Sequence, residues 1–224
     1  MRSTSRLSVQ ARNCALEIVR AAEFLHSRGL LAACDGNLSA RLSDGSIMIT
    51  PSGVPKRSLR QKDMVLMDLE GQPRRGRPSS EKLLHLEIYR RCPEARFIVH
   101  AHPPAAIAWS IARPNLKFLP AQCLSELVLA AGAVPFVPYA RPGTTDMANS
   151  IRPFLPRYRA LILSRHGAVT WGQSLTEALN GMERIEHSAL ILKHAIEIGG
   201  LTSLPRRELA ALKALRKKLE PRLL

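Results

Sequence analysis

The chain reads as a single α/β domain, a mixed sheet covered by helices on both faces. Three observations predict this. After an early hairpin, strand-like and helix-like segments alternate, the pattern of a sheet wrapped by helices. No linker, internal repeat or low-complexity stretch divides the 224 residues, a length that suits one large domain. The composition, 46% hydrophobic and 23% charged, is that of a globular protein able to bury a core.

Taken in order, SVQARNCALEIVRAAEFLHSRG predicts the first helix, with Ser8 as its N-cap and Gly29 beyond its end. GNLSARLSDGSIMIT predicts a β-hairpin, because Asp44-Gly45 is a tight-turn dipeptide between two apolar-alternating runs. The loop TPSGVPKRS and a short turn lead to a strand, DMVLMDL, and then to the polar loop DLEGQPRRGRPSS. Ser79 or Ser80 is placed to cap the helix EKLLHLEIYRRC, whose apolar positions recur at helical spacing. ARFIVHAH is a buried strand by its β-branched and aromatic content, stopped by Pro103-Pro104.

Helices are expected over 104–112 and about 122–131. VPFVPYA is strand-like but interrupted by proline, which predicts an edge strand or an early stop. The turn RPGTTD precedes a helix near 145–155, and RALILSRHGAVTWG predicts two strands around a glycine break. The longest helix runs from about 174 to 198, opened by the capping box Ser174…Glu177 and closed by Gly199-Gly200. A basic helix over about 205–220 ends the chain.

The net charge is +15, which by itself admits nucleic acid, an anionic membrane or an anionic small substrate. Much of it sits in a loop (Arg74, Arg75, Arg77) and near the end (Arg206, Arg207, Lys213, Arg216, Lys217, Lys218, Arg222). Aromatic residues are 4% of the chain and none interleave with these runs, so a stacking platform for single strands is missing. A solvated basic face is expected, not specific nucleic-acid binding. No apolar run approaches the roughly 18 residues of a membrane span. No signal-type apolar core follows the basic start MRSTSRLSVQARN. The expected location is the cytoplasm, without membrane association. The four cysteines, Cys14, Cys34, Cys92 and Cys123, form no C-x-x-C pair and are read as buried reduced thiols.

The chemistry concentrates in F-I-V-H-A-H-P. Side chains alternate faces along a strand, so His100 and His102 point the same way. They either converge on one metal ion, for which imidazole suits zinc and its neighbours, or are two satisfied polar histidines. A catalytic zinc site needs three protein ligands and an open position, and His166, at a strand end before Gly167, is the third candidate. Its other reading is a loop histidine capping a turn. His26, His85, His187 and His194 fall in predicted helices and are read as structural or surface residues. Glu81 stands in the first turn of a helix, where free amides and the dipole favour an anion. With Ser79 and Ser80 it makes either a phosphate cradle or a plain helix cap. G-N-L-S (36–39) and T-P-S-G (50–53) are turns, or places where a glycine lets the backbone approach a ligand.

The ordered set G-N-L-S, T-P-S-G, S-S-E (79–81), H-A-H-P (100–103) and R-H-G (165–167), followed by EALNGMERIEH, resembles the class II aldolase/adducin family over nearly all of residues 10–200. The resemblance implies a three-layer α/β/α domain with a mixed, largely antiparallel sheet. It implies one divalent metal per subunit, Zn2+ with Mn2+ or Co2+ as substitutes, on His100, His102 and His166. It implies that Asn37, Ser52, Gly53, Ser79 and Ser80 hold a substrate phosphate, and that Glu81 contacts the metal and then serves as acid/base.

The partners it implies are a phosphorylated sugar and further copies of the chain, in a homotetramer with active sites at subunit interfaces. The reaction expected is cleavage of a ketose 1-phosphate, fuculose-phosphate-like or a deoxy or methylthio ribulose phosphate, to dihydroxyacetone phosphate and an aldehyde. Two departures bear on it. The 4-epimerase members carry aspartate where Glu81 stands. The fuculose-phosphate aldolases use a tyrosine from a neighbouring subunit where this chain has Glu126, with Tyr139 as a substitute. A glutamate there is similar to the dehydratase members, in which it acts as base, so dehydration or decarboxylation on the same metal scaffold is the alternative. A non-catalytic, adducin-like interaction protein is a further one.

Overall fold

A computed structural model describes residues 8–219; the start MRSTSRL and Arg222 lie outside the described residues. Helix α1 (Val9–Ser27) opens where the Ser8 hydroxyl accepts a hydrogen bond from the Ala11 amide, as expected of that cap. Its buried positions, Cys14, Ala15, Ile18, Ala22 and Leu25 among them, recur at three and four residues and lay one face on the sheet. Strands β1 (Asn37–Arg41) and β2 (Ile47–Ile49) form the hairpin around Asp44-Gly45, with Gly45 at φ 81° and the Asp44 carboxylate accepting from the Ser46 amide and hydroxyl. Strand β3 (Val65–Met67) pairs with β2 and is shorter than the run DMVLMDL.

Helix α2 (Lys82–Arg91) starts later than the sequence suggests. Glu81 is its N-cap residue, outside the first turn, and no side chain caps its amides; the Ser79 hydroxyl accepts from the Glu81 amide instead. The Glu81 carboxylate is not free for capping because buried partners hold it. Strand β4 (Phe97–Ala101) is followed by α3 (Pro104–Ala112), with Pro104 at the position where a missing N–H costs nothing. The helix expected over about 122–131 is a 3₁₀ turn, Ala121–Cys123, and then α4 (Ser125–Ala130). Strand β5 (Phe136–Val137) is a two-residue edge, bounded by Pro135 and Pro138. Helix α5 (Thr145–Ile151) tightens into a 3₁₀ turn, Arg152–Phe154, where Pro153 can donate no amide. Strands β6 (Ala160–Leu163) and β7 (Gly167–Gly172) close a hairpin over Ser164-Arg165-His166, and α6 (Leu175–Ile198) and α7 (Arg206–Leu219) complete the chain.

The sheet has seven strands in the order β3-β2-β1-β4-β7-β6-β5, and every neighbouring pair is antiparallel except β5 with β6. Two hydrophobic clusters lie on its two faces. One joins α1, α3 and α6 to Leu38, Ala40, Val99, Ala101 and Ala168. The other joins α2 and α5 to Ile98, Val169 and Trp171. Helices therefore cover both faces, the three-layer arrangement expected. Because side chains alternate, Asn37 and Ser39 on β1 and His100 on β4 face the α2 layer, and Asn37 lies opposite His100 in the register. Cys14 and Cys92 are buried as expected, but Cys34 is exposed in the loop before β1, and Cys123, at the end of the 3₁₀ turn, is half-buried against the first cluster. No helix among the described residues is long and apolar enough to cross a membrane.

Candidate metal centre

The central strands and the start of α2 bring four side chains able to hold a metal to one place. His100 is the penultimate residue of β4, and His102 follows just past the strand, its amide bonded to the Leu30 carbonyl at 2.8 Å. His166 comes from the β6–β7 turn, where Arg165 takes the left-handed φ of 60° and the His166 amide bonds Leu163 at 3.1 Å. The three rings stand 4.9 to 5.0 Å apart, centroid to centroid. Glu81 reaches in from the start of α2: its Oε1 is 2.8 Å from His166 Nε2 and its Oε2 is 3.1 Å from His100 Nε2. His102 Nε2 is 3.3 Å from His100 Nε2.

All four ligand atoms lie within 4.8 Å of one another. A tetrahedral zinc ion with bonds of about 2.05 Å to nitrogen separates its ligands by roughly 3.3 Å, so the cluster has the right size. The ring orientation also fits. His100 Nδ1 donates to the Ala168 carbonyl at 2.9 Å, which leaves Nε2 as the nitrogen that faces Glu81 and that a metal would take.

The electrostatics agree with a site built for a cation. Burial alone would raise the Glu81 carboxyl, but His100 and His166 beside it hold it well below the usual carboxylate range. Burial works to lower His100, and the Glu81 carboxylate overcomes that and raises it. Burial, with His100 and His166 close by, pushes His102 down to about 3, so it is neutral at physiological pH.

These residues open into a cleft of about 370 Å³. Asn37, Ser52, Gly53, Ser79, Ser80, Glu81, His102 and His166 all line it, and His100 lies buried behind them. The two serine motifs meet because Pro51 and Pro78 form an isolated antiparallel bridge and the Ser52 amide bonds Arg77 at 3.0 Å. The readings of His100, His102 and His166 as satisfied polar or turn-capping residues give way to one convergent cluster. Glu126 is elsewhere: it is exposed on α4 and does not line this cleft, and Tyr139 is 61% exposed and also outside it.

His85, expected to be structural or surface and standing one turn after Glu81, is structural: it is fully buried and bonded to Asn37, a partner its spacing does not reveal. Two further groups escaped the sequence reading. Lys56 is 1% exposed, lines the cleft, and donates to the carbonyls of Cys34 at 2.9 Å and Val54 at 3.1 Å. Nothing in a loop of Gly, Pro and Arg marks it in advance. Pro142 and Gly143 form a rim of the cleft, with Gly143 at φ 74° and packed beside Ser80.

With the geometry in place, the comparisons with known proteins decide the family. The model of the class II aldolase and adducin N-terminal domain matches residues 16–192. The chain belongs to the class II aldolase and adducin family. It is 37% identical over 183 residues to methylthioribulose-1-phosphate dehydratase of Methylococcus capsulatus, covering 77% of this chain and 89% of that one. It is 34% identical over 182 residues to 3-oxo-tetronate 4-phosphate decarboxylase of Escherichia coli, covering 79% and 84%. A solved structure of L-fuculose 1-phosphate aldolase superposes with a TM-score of 0.83 at 28% identity, covering 96% of this chain and 100% of that one. The family is one of class II aldolase-type enzymes, and its members named here carry out dehydration, decarboxylation and aldol cleavage on phosphorylated compounds.

Proposed function

We propose that the protein is a metal-dependent lyase for a phosphorylated ketose, and that it removes water beside the carbonyl. The observation that carries the first part is the meeting, in one cleft, of three imidazoles and Glu81 with the hydroxyls and amides of Ser52, Gly53, Ser79, Ser80 and Asn37. Zn2+ suits three imidazoles with a carboxylate that a substrate oxygen would displace, freeing Glu81 for acid/base work, and Mn2+ or Co2+ can take the same donors, one ion per subunit. Bound there, the metal supplies Lewis-acid stabilisation of negative charge building on a substrate oxygen.

The protein's own groups do the rest. The serine and glycine motifs and Asn37 hold the phosphate and so place the carbonyl end of the sugar. Glu126, reaching the cleft from a neighbouring copy in a homotetramer, takes the proton from the carbon beside the carbonyl. Glu81 collects the proton of the hydroxyl on that same carbon and passes it to the hydroxyl of the next carbon, which leaves as water. Glu126 then returns its proton to the carbon that lost the hydroxyl, leaving two adjacent carbonyls. Dehydration is preferred over aldol cleavage because a carboxylate, not a phenol, stands at position 126, and because the 37% identical relative is a dehydratase. Aldol cleavage to dihydroxyacetone phosphate, the reaction the resemblance first suggested, is the second reading, favoured by the superposition on the fuculose-phosphate enzyme.

Incubation of the zinc-loaded protein with methylthioribulose 1-phosphate, fuculose 1-phosphate and 3-oxo-tetronate 4-phosphate separates these. Water loss from the first, at least 100-fold slower in Glu126→Gln, is the expected result. Release of dihydroxyacetone phosphate, or of carbon dioxide from the third compound, would replace dehydration by the corresponding reaction.

A further inference from the structure

Behind Glu81 and Asn37 runs a file of buried polar groups, Tyr89, Ser39 and His85, that none of the steps above uses. Tyr89 Oη lies 2.8 Å from Ser39 Oγ, and Ser39 Oγ lies 2.6 Å from His85 Nδ1. His85 Nε2 meets Asn37 Oδ1, and Asn37 Nδ2 lies 2.9 Å from Glu81 Oε2. Every member is buried, His85 completely. Burial first, and the neighbouring His100 second, push His85 down to about 3, so it is neutral and carries one proton.

A file of this kind can run in two directions. In one, Tyr89 donates to Ser39, Ser39 to His85 Nδ1, His85 Nε2–H to Asn37 Oδ1, and Asn37 Nδ2–H to the carboxylate. Each link of the file then pairs a donor with an acceptor. In the other, the Asn37 amide is turned over, its carbonyl oxygen faces the ionised carboxylate, and the Tyr89 proton points at no acceptor among the described residues. Both faults are costly in a buried site, so the first direction holds. It gives Asn37 two Nδ2 protons with distinct destinations. One is on Glu81 Oε2, and the other has no protein partner among the described residues and is left for the cleft that Asn37 lines.

We propose that His85 is a positioning residue: through its Nε2–H bond to Asn37 Oδ1 it keeps the amide nitrogen turned toward Glu81 and the cleft, so that Glu81 stays aimed at the three histidines. This rests on the metal reading of the cluster, and needs no knowledge of the substrate.

Cobalt tests it. Apo protein is titrated with Co2+ against a competing chelator, and the visible absorption of the bound ion is recorded. His85→Asn places its amide near the old Nδ1 and loses the donor to Asn37. His85→Gln places an N–H near the old Nε2 and retains it. The expected result is a Co2+ affinity about tenfold weaker in His85→Asn, with an absorption change like that of Glu81→Gln, and near-native affinity and spectrum in His85→Gln. In an Asn37→Ala background, His85→Asn should add less than about twofold, because its effect passes through the missing amide. Equal weakening in the two His85 variants, additive effects in the double variant, or no change in His85→Asn would each overturn the proposal. A wild-type protein that binds no Co2+ would overturn the metal reading and, with it, this one; melting temperatures of all variants identify any loss due to unfolding.

Discussion

A methyl group at position 167 has nowhere to go. A Cβ built on Gly167 would stand 2.5 Å from the Ala101 carbonyl oxygen and 2.9 Å from ring atoms of both His100 and His102. The φ of Gly167 is outside the left-handed region, so what demands glycine here is space and not backbone freedom. Gly167→Ala must push β4 and β7 apart or tilt the two imidazoles. Overpacking of this sort costs about 1–3 kcal/mol, which for a chain of this size lowers the melting temperature by about 2–4 °C per kcal/mol. The variant should stay folded and bind metal at least tenfold more weakly, read by calorimetry and by zinc content after dialysis. Legibility at this scale follows the same physics. His100, His102, Glu81 and the serines could be read because their spacing on a strand or helix start says where they point. The partner of His85 could not, because a histidine inside a helix shows its spacing but not what waits opposite it, and that partner, Asn37, arrives from a hairpin 48 residues earlier.

Among the elements, one cation ties together two of the loops that build the cleft. Lys56 ties the turn before β1 to the loop after β2: its amide donates to Ala33, and its ammonium to the carbonyls of Cys34 and Val54. Burial makes this ammonium lose its proton more easily than an ordinary lysine, with Cys34, Asp35 and Glu81 opposing. Lys56→Met keeps the apolar stem and removes the donor, stranding two carbonyls at a cost of about 1–3 kcal/mol. Proteolysis should then appear first within 32–36 and 50–58, and Lys56→Arg should restore much of the protection. Intact protein in limited digestion of Lys56→Met, matching wild type, would remove Lys56 from this role. The long amphipathic segments that became α1 and α6, and the hairpin around Asp44-Gly45, were legible in the sequence because their signals are local. Shorter pieces were less so. The pattern over 122–131 predicts one helix where a 3₁₀ turn precedes α4, and α5 ends four residues early, at Ile151, because the effect of Pro153 competes with an apolar pattern that continues past it. The start of α2 was misplaced by a functional demand: Glu81 serves the histidines, so it cannot serve the helix.

For the whole molecule, the position of Glu126 bears on what completes the cleft. One chain gathers the three histidines, Glu81 and the two serine motifs around one cleft, yet Glu126 stays exposed on α4 and outside that cleft. If Glu126 works on the substrate, a second copy has to deliver it, and the site is shared between chains. A shared site has a consequence that no single-chain site has. Glu81→Gln and Glu126→Gln are each inactive alone, because every cleft in either homo-oligomer lacks one carboxylate. Unfolded together and refolded, or co-expressed, the two variants assemble at random. About a quarter of the interface sites then receive an intact Glu81 from one chain and an intact Glu126 from its neighbour. The mixed preparation should therefore recover about a quarter of wild-type activity, while the two variants mixed without subunit exchange recover none. The same ratio is expected whether the reaction is dehydration or aldol cleavage, because it counts carboxylates and not products. Activity that never rises above the separate variants, in preparations shown by mass spectrometry to contain mixed oligomers, would place the second carboxylate within the same chain or remove Glu126 from the chemistry altogether.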